Sequence, residues 1–191
     1  MISEDGDKAI ASLYKATYGI LFFGTPHKGL VVADIQKMIA EDDHHPRATL
    51  LEDINKNSSL LLSQLPRFKN VIRDRKVVSF YEQSQTRSLV KVSISNVNTY
   101  KYILMLTYRQ DEDTQSWSRS GVYTTSVDAD SAVLELPDST ETKIPLDSDH
   151  SRMVKFDSKH SEAYKSALYY ISEFVKDAPA VVAARFCKLP N

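Results

Sequence analysis

Gly19-Ile20-Leu21-Phe22-Phe23-Gly24-Thr25-Pro26-His27-Lys28-Gly29 decides the fold class of this chain. Its first half is a short apolar run, the composition of a strand covered on both faces. The run stops on Gly24, Pro26 and Gly29, and an amphipathic segment from Leu30 to Ile39 follows. A buried strand that ends in a turn feeding a helix is the repeating unit of a parallel α/β sheet. Ligands of such sheets sit at the carboxyl ends of the strands.

Working outward, the chain reads as alternating helices and strands. Ser3 to Tyr18 is expected to be helical, with Ile10, Leu13 and Tyr14 on one face. Leu30 to Ala40 is a second helix, and Glu41-Asp42-Asp43-His44-His45-Pro46 a polar loop. Ala48 to Leu65 is a third helix, stopped by Pro66. Lys76-Val77-Val78-Ser79-Phe80-Tyr81-Glu82 is β-branched and aromatic, the next strand, and Gln83 to Arg87 is loop. Gly121 to Val127 is read as a third strand closed by Asp128-Ala129-Asp130-Ser131. Val133, Leu134 and Leu136 suggest a short edge element, and Asp147-Ser148-Asp149-His150 a polar loop. Ser158 to Lys176 is a terminal helix with Ala163, Leu168, Ile171 and Val175 expected inward. Three strands are few for an α/β sheet, so the chain reads as part of a fold.

Composition removes several function classes. At 191 residues the chain is one domain with room for a core. A net charge of −1 supplies no electrostatic attraction to nucleic acid or an anionic bilayer. Tyr102 to Leu106 is far too short to span a membrane, so no transmembrane segment is expected. The lone Cys187 excludes an intrachain disulfide and fits a reducing compartment. Met1 is followed by Ser3-Glu4-Asp5-Gly6-Asp7, unlike a secretory leader.

The chemistry-bearing residues are few. Gly24 and Gly29 stand five apart, but Leu30 and Val31 occupy the places where a phosphate loop needs Lys and Ser or Thr. Pro26 also removes a backbone donor, so a phosphate cradle is rejected. His44-His45 beside acidic residues has no distant partner pair, and no metal or other cofactor is expected. Glu82 ends a strand and His150 lies in a loop before the last helix. A carboxylate that orients a histidine is the logic of a hydrolase triad, in which acid and base follow late strands. Taken bare, both residues also suit purely structural roles. Gly-x-Ser-x-Gly, the elbow that would carry the nucleophile, occurs nowhere in the chain.

The opening stretch resembles the GIxFFGTPHRGS signature of lipase-like α/β-hydrolases related to the serine-active-site-containing protein. Such domains also stand at the N-termini of many fungal NACHT, ankyrin and tetratricopeptide proteins. Val77 to Glu82, Val127 to Ala132, and Asp149-His150-Ser151-Arg152-Met153-Val154-Lys155-Phe156, similar to DHSxMVKF, add three ordered blocks. Leu30, where the family has Ser, departs from the pattern.

The resemblance implies an incomplete α/β-hydrolase fold, the C-terminal half of a mostly parallel sheet with flanking helices. Residues 1–90 and 111–178 are family-like, and the family's GHSLGG elbow would stand one helix before the opening stretch, with the present chain beginning within or just before that helix. His150 then matches the catalytic base and Glu82 the acid, with Asp128 or Asp130 as fallback acids. Gly24, Thr25, Pro26, His27 and Gly29 match a structural turn that His27 braces. The implied reaction is hydrolysis of a small acyl ester or lipid, and this chain alone is expected to be inactive. The alternative is a non-catalytic interaction or effector module of a NACHT-type signalling protein, with a protein partner. The implied compartment is the cytoplasm, with mitochondrial or endoplasmic reticulum association as the family alternative.

Residues 92–110 break the family spacing. Lys91-Val92-Ser93 can be encoded AAG-GTA-AGT, and Leu106 to Gln110 can be encoded with a CTAAC branch site and a terminal CAG. The segment therefore reads as a retained intron, with Lys91 meant to join Asp111, or as a surface insertion.

Overall fold

The computed structural model describes residues 4–39, 47–92 and 116–187. In chain order these residues form α1 (Glu4–Ala16), β1 (Gly19–Phe23), α2 (Ala33–Ile39), α3 (Ala48–Asp53) and α4 (Ser59–Ile72). There follow β2 (Lys76–Glu82), β3 (Thr86–Val92), β4 (Ser116–Thr124), α5 (Ala129–Ala132), β5 (Glu141–Leu146) and α6 (Glu162–Cys187). The class is α/β, as the alternation of elements predicts.

The sheet is three-stranded and parallel, in the order β1-β2-β5. Leu21 pairs with Val78 and Phe23 with Phe80; Phe80 in turn lies opposite Ile144 of β5. Alternation along the strands gives the sheet two apolar faces. On one, Val78, Phe80, Leu21, Phe23 and Leu146 pack under Ala163, Ala167, Tyr170 and Phe174 of α6. On the other, Val77, Ile20 and Phe22 pack with Leu65, Phe68 and Ile72 of α4 and with Leu134 and Leu136. Helices on both faces explain why β1 and most of β2 are apolar. β3 and β4 form a separate antiparallel pair with an irregularity between Arg87 and Leu89. The Leu89 N–H donates to Asp34 of α2 at 2.8 Å and ties this pair to the body.

The strands Gly19–Phe23 and Lys76–Glu82 form where their composition predicts. Other expectations need correction. Pro66 lies inside α4 instead of ending a helix. The break comes earlier, at Asn57, which takes a φ of 61° and separates α3 from α4. The third strand covers Ser116–Thr124, and Thr86, expected in a loop, begins β3. Val133 to Leu136 pairs with no strand among the described residues, and β5, unforeseen, is the third member of the parallel sheet. Leu168, Ile171 and Val175 are exposed, because Ala163, Ala167, Tyr170 and Phe174 occupy the inward side of α6. α6 also runs through Pro179 to Cys187, past the expected end at Lys176. The His44-His45 loop lies outside the described residues. So does the 92–110 segment except Val92, the last residue of β3, which pairs with Ser116 of β4.

Candidate functional site

Three parallel strands deliver their carboxyl ends to one edge, so Gly24, Glu82 and the loop 147–150 all leave the sheet on the same side. Each is held there by local chemistry. Gly24 continues the ladder, its N–H donating to the Phe80 carbonyl at 2.8 Å, and then turns with a φ of 55°. Gly29 has a φ of 94°, and a side chain there would collide with the Asn55 carbonyl. The two glycines therefore frame the 24–29 turn for steric reasons.

The interior of that turn is knitted to α5. Ser131 is buried; its hydroxyl donates to Gly29 O at 2.6 Å and accepts from Lys28 N–H at 3.1 Å. The Ser131 carbonyl accepts from His27 N–H at 2.9 Å. The His27 ring stands edge-on to Phe22, centroids 4.7 Å apart, and lies beside Phe68. Burial pushes the imidazole down to about 4, against the attraction of Glu141 and with a smaller contribution from Lys69. His27 is therefore a neutral ring inside the core at neutral pH. Its Nε2 is buried and has no partner among the described residues.

Glu82, the last residue of β2, is 5% exposed. One carboxylate oxygen accepts from Val127 N–H at 2.7 Å, fixing the chain just before α5. The other, Oε2, is buried without a partner among the described residues. His150 follows β5 by four residues, in a turn that Asp149 organises by accepting from Ser151 N–H at 2.8 Å and Arg152 N–H at 3.0 Å. Its Nδ1 is also buried without a partner among the described residues. The ring lies over Gly24, where a Cβ would come within 2.9 Å of Nδ1 and 2.6 Å of the Met153 sulfur.

The fallback acids are otherwise engaged. Asp128 pairs with Lys56, and that carboxylate raises the Lys56 ammonium above its usual range, chiefly through their hydrogen bond. Asp130 stands 3.8 Å from Lys28, which also pairs with Glu135 at 3.2 Å. Glu82 is thus the buried acid of the three. The structure brings His150, Gly24 and Met153 together, and Glu82 with Val127; it records no hydrogen bond between Glu82 and His150.

Sequence reasoning missed a buried polar cluster on the opposite face. Ser79 donates to Glu141 at 2.6 Å, and the same carboxylate accepts from Leu134 N–H at 2.8 Å and Leu136 N–H at 2.9 Å. A serine inside the run Val77-Val78-Ser79-Phe80 was the available signal, since a buried hydroxyl requires a partner.

Beside His150 a cleft of about 550 Å³ opens between β5, the 147–157 loop and the start of α6. Gln83, Ser84, Asp149, Arg152, Phe156 and Ser161 line it; His150 does not. Among the described residues no three His, Cys, Asp or Glu side chains gather as metal ligands, and no helix is long and apolar enough to cross a membrane. No family model matches the chain, and no curated protein or solved structure is detectably similar to it.

Proposed function

We propose that this chain carries the acid and base of a lipase-like serine-hydrolase site, Glu82 and His150, without a nucleophile of its own. One observation carries the reading. Among the described residues Glu82 Oε2 is a buried acceptor lacking a donor, and His150 Nδ1 is a buried nitrogen able to donate. Both stand at the carboxyl edge of neighbouring parallel strands, where sheets of this class hold their ligands.

In the proposed chemistry, Glu82 accepts a hydrogen bond from the His150 Nδ1–H, without taking the proton, and so fixes the tautomer that leaves Nε2 free to act as base. Nε2 takes the proton of a serine hydroxyl as the oxygen attacks an ester carbonyl, then returns it to the departing alcohol. No Gly-x-Ser-x-Gly is present, so the chain by itself has no route to the acyl-enzyme. The purified chain is expected to leave p-nitrophenyl butyrate intact. Hydrolysis that disappears in His150→Ala would overturn that expectation.

The pairing is tested by the His150 imidazole signals in ¹H–¹⁵N spectra. Glu82→Gln keeps an oxygen for Val127 N–H but weakens the acceptor offered to His150. The Nδ1 proton should move upfield, and an identical spectrum in both proteins would sink the assignment.

The second reading, a non-catalytic interaction module, is favoured by a different observation: Leu168, Ile171 and Val175 leave one flank of α6 apolar and exposed.

A further inference from the structure

Among the described residues β1 is the end strand of its sheet. Gly24 N–H donates to Phe80 O, and Tyr18 O accepts from Lys76 N–H, so the even-numbered residues of this stretch turn their backbone groups toward β2. Sides alternate along a strand. The N–H and C=O groups of Gly19, Leu21 and Phe23 therefore point away from the sheet, and among the described residues no backbone hydrogen bond reaches them. Edge strands are ordinarily blunted by charge, proline or a bulge. β1 is Gly-Ile-Leu-Phe-Phe and has none of these.

The helix above this edge is bare on the same side. Ala163, Ala167, Tyr170 and Phe174 mark the inward line of α6. Ser166 stands to one side of that line and lines the cleft with Ile144 and Leu146 of β5. At 100° per residue, Tyr164, Leu168, Ile171, Val175, Ala178 and Val182 fall on the opposite side, above β1. The ring of Phe156 bridging Phe23 and Tyr164 agrees with this placement. None of the six is charged. Leu168 is 48%, Ile171 47% and Val175 68% exposed.

We infer that this edge is the interface of a symmetric dimer, in which β1 pairs antiparallel with β1 of a second copy. The inference is independent of the hydrolase reading. The outward groups are self-complementary: centred on Leu21 against Leu21, the register also sets Gly19 against Phe23 at both ends, and each of these pairs exchanges both bonds. A two-fold axis normal to the sheet keeps both α6 helices on one face and turns their apolar flanks toward each other. A residue on such an axis meets its own counterpart, where a charge would meet a like charge. An uncharged strand and an uncharged flank fit that requirement.

The test is the solution mass of the full chain, with backbone amide exchange read residue by residue. The wild type should run at twice 21.6 kDa, and Val175→Glu or Ile171→Glu should return it to the monomer with an unchanged circular dichroism spectrum. Leu21 and Phe23 amides should exchange slowly in the wild type and fast in the variants, while Ile20 and Phe22 stay slow in both. A folded wild-type monomer at high micromolar concentration overturns the inference. So does a dimer whose Leu21 amide exchanges fast, or one that Val175→Glu leaves intact. Protection of Leu21 and Phe23 in a monomer, by a strand of the same polypeptide, would make that strand the occupant and exclude the second copy.

Discussion

Gly24 carries the His150 imidazole: a methyl group at residue 24 would stand 2.9 Å from Nδ1, inside contact distance. The glycine also sits at a φ of 55°. Gly24→Ala therefore meets two costs. The left-handed backbone disfavours a Cβ by about 1 kcal/mol, and the displaced ring adds to it. Met153 can swing its sulfur aside; the imidazole cannot move without leaving its seat. A loss of about 1–3 kcal/mol in urea unfolding is expected, together with a shift of the His150 ring resonances. Unshifted His150 signals would show that the glycine serves the turn alone.

Glu141 is 2% exposed and accepts from Ser79, Leu134 N–H and Leu136 N–H. Removing the carboxylate orphans two buried donors, each worth about 1–3 kcal/mol, and the half-buried Leu136 N–H. Glu141→Ala should cost roughly 3–5 kcal/mol, near the whole stability of a small domain. Ser79→Ala removes one donor and should cost about 1 kcal/mol. A double-mutant cycle checks the pair: the two losses are expected to be non-additive. Strict additivity would argue that Glu141 works through the backbone alone.

The parts of this architecture that rest on local composition were legible in the sequence. Gly19–Phe23 and Lys76–Glu82 are apolar because both faces of the sheet are covered, and a run of that kind announces itself. β5 was missed because Glu141-Thr142-Lys143-Ile144-Pro145-Leu146 carries charges and a proline, which an end strand tolerates and a central one does not. Ala163 faces inward as expected, but Leu168, Ile171 and Val175 were misread because they are larger and more apolar than Ala167, which takes the inward place beside Tyr170 and Phe174. Small residues let the helix approach the sheet, and tertiary packing overrides side-chain size. At the site, the place of Glu82 at a strand end was readable from local composition; that His150 follows a parallel strand was not, because β5 escaped notice. The tie from Glu82 to Val127, and the seat of His150 on Gly24, depend on contacts between distant segments and left no local mark.

His27 makes stability depend on pH. Its imidazole is lowered from 6.5 to about 4 in the folded chain, with burial the main cause, Glu141 opposing and Lys69 adding. Between those values the unfolded chain binds the proton and the folded chain does not, so stability rises with pH through this window and is lost as pH falls. The contribution is on the order of 2 kcal/mol, allowing for residual solvent contact of the ring. His27→Phe preserves a flat ring beside Phe22 and Phe68 and cannot charge. Its unfolding midpoint in urea should vary less than the wild type's between pH 7 and 4. Parallel curves for the two proteins would place the acid sensitivity elsewhere.

Two arginines hold the C-terminal end of α1, and their removal should release that helix. Arg75, 2% exposed, donates to Tyr14 O at 2.7 Å, stands 2.6 Å from Asp74 and lies 4.1 Å from the centre of the Tyr14 ring. Arg185 of α6 donates to Thr17 O at 2.7 Å and reaches Lys15 O and Asp74 O. The last carbonyls of a helix have no partner within it and carry its negative dipole end, so guanidinium donors suit them. The apolar face of α1 supplies little else, since Ile10 is 62% and Leu13 70% exposed. Lysine cannot reproduce a flat group that bonds a carbonyl and stacks on a ring at once. Arg75→Lys is therefore expected to cost about 1.5–3 kcal/mol, and limited trypsin digestion should cut at Lys8 or Lys15 before the body of the domain. If trypsin spares α1 in Arg75→Lys and in Arg185→Ala alike, the helix is held by packing and not by these bonds.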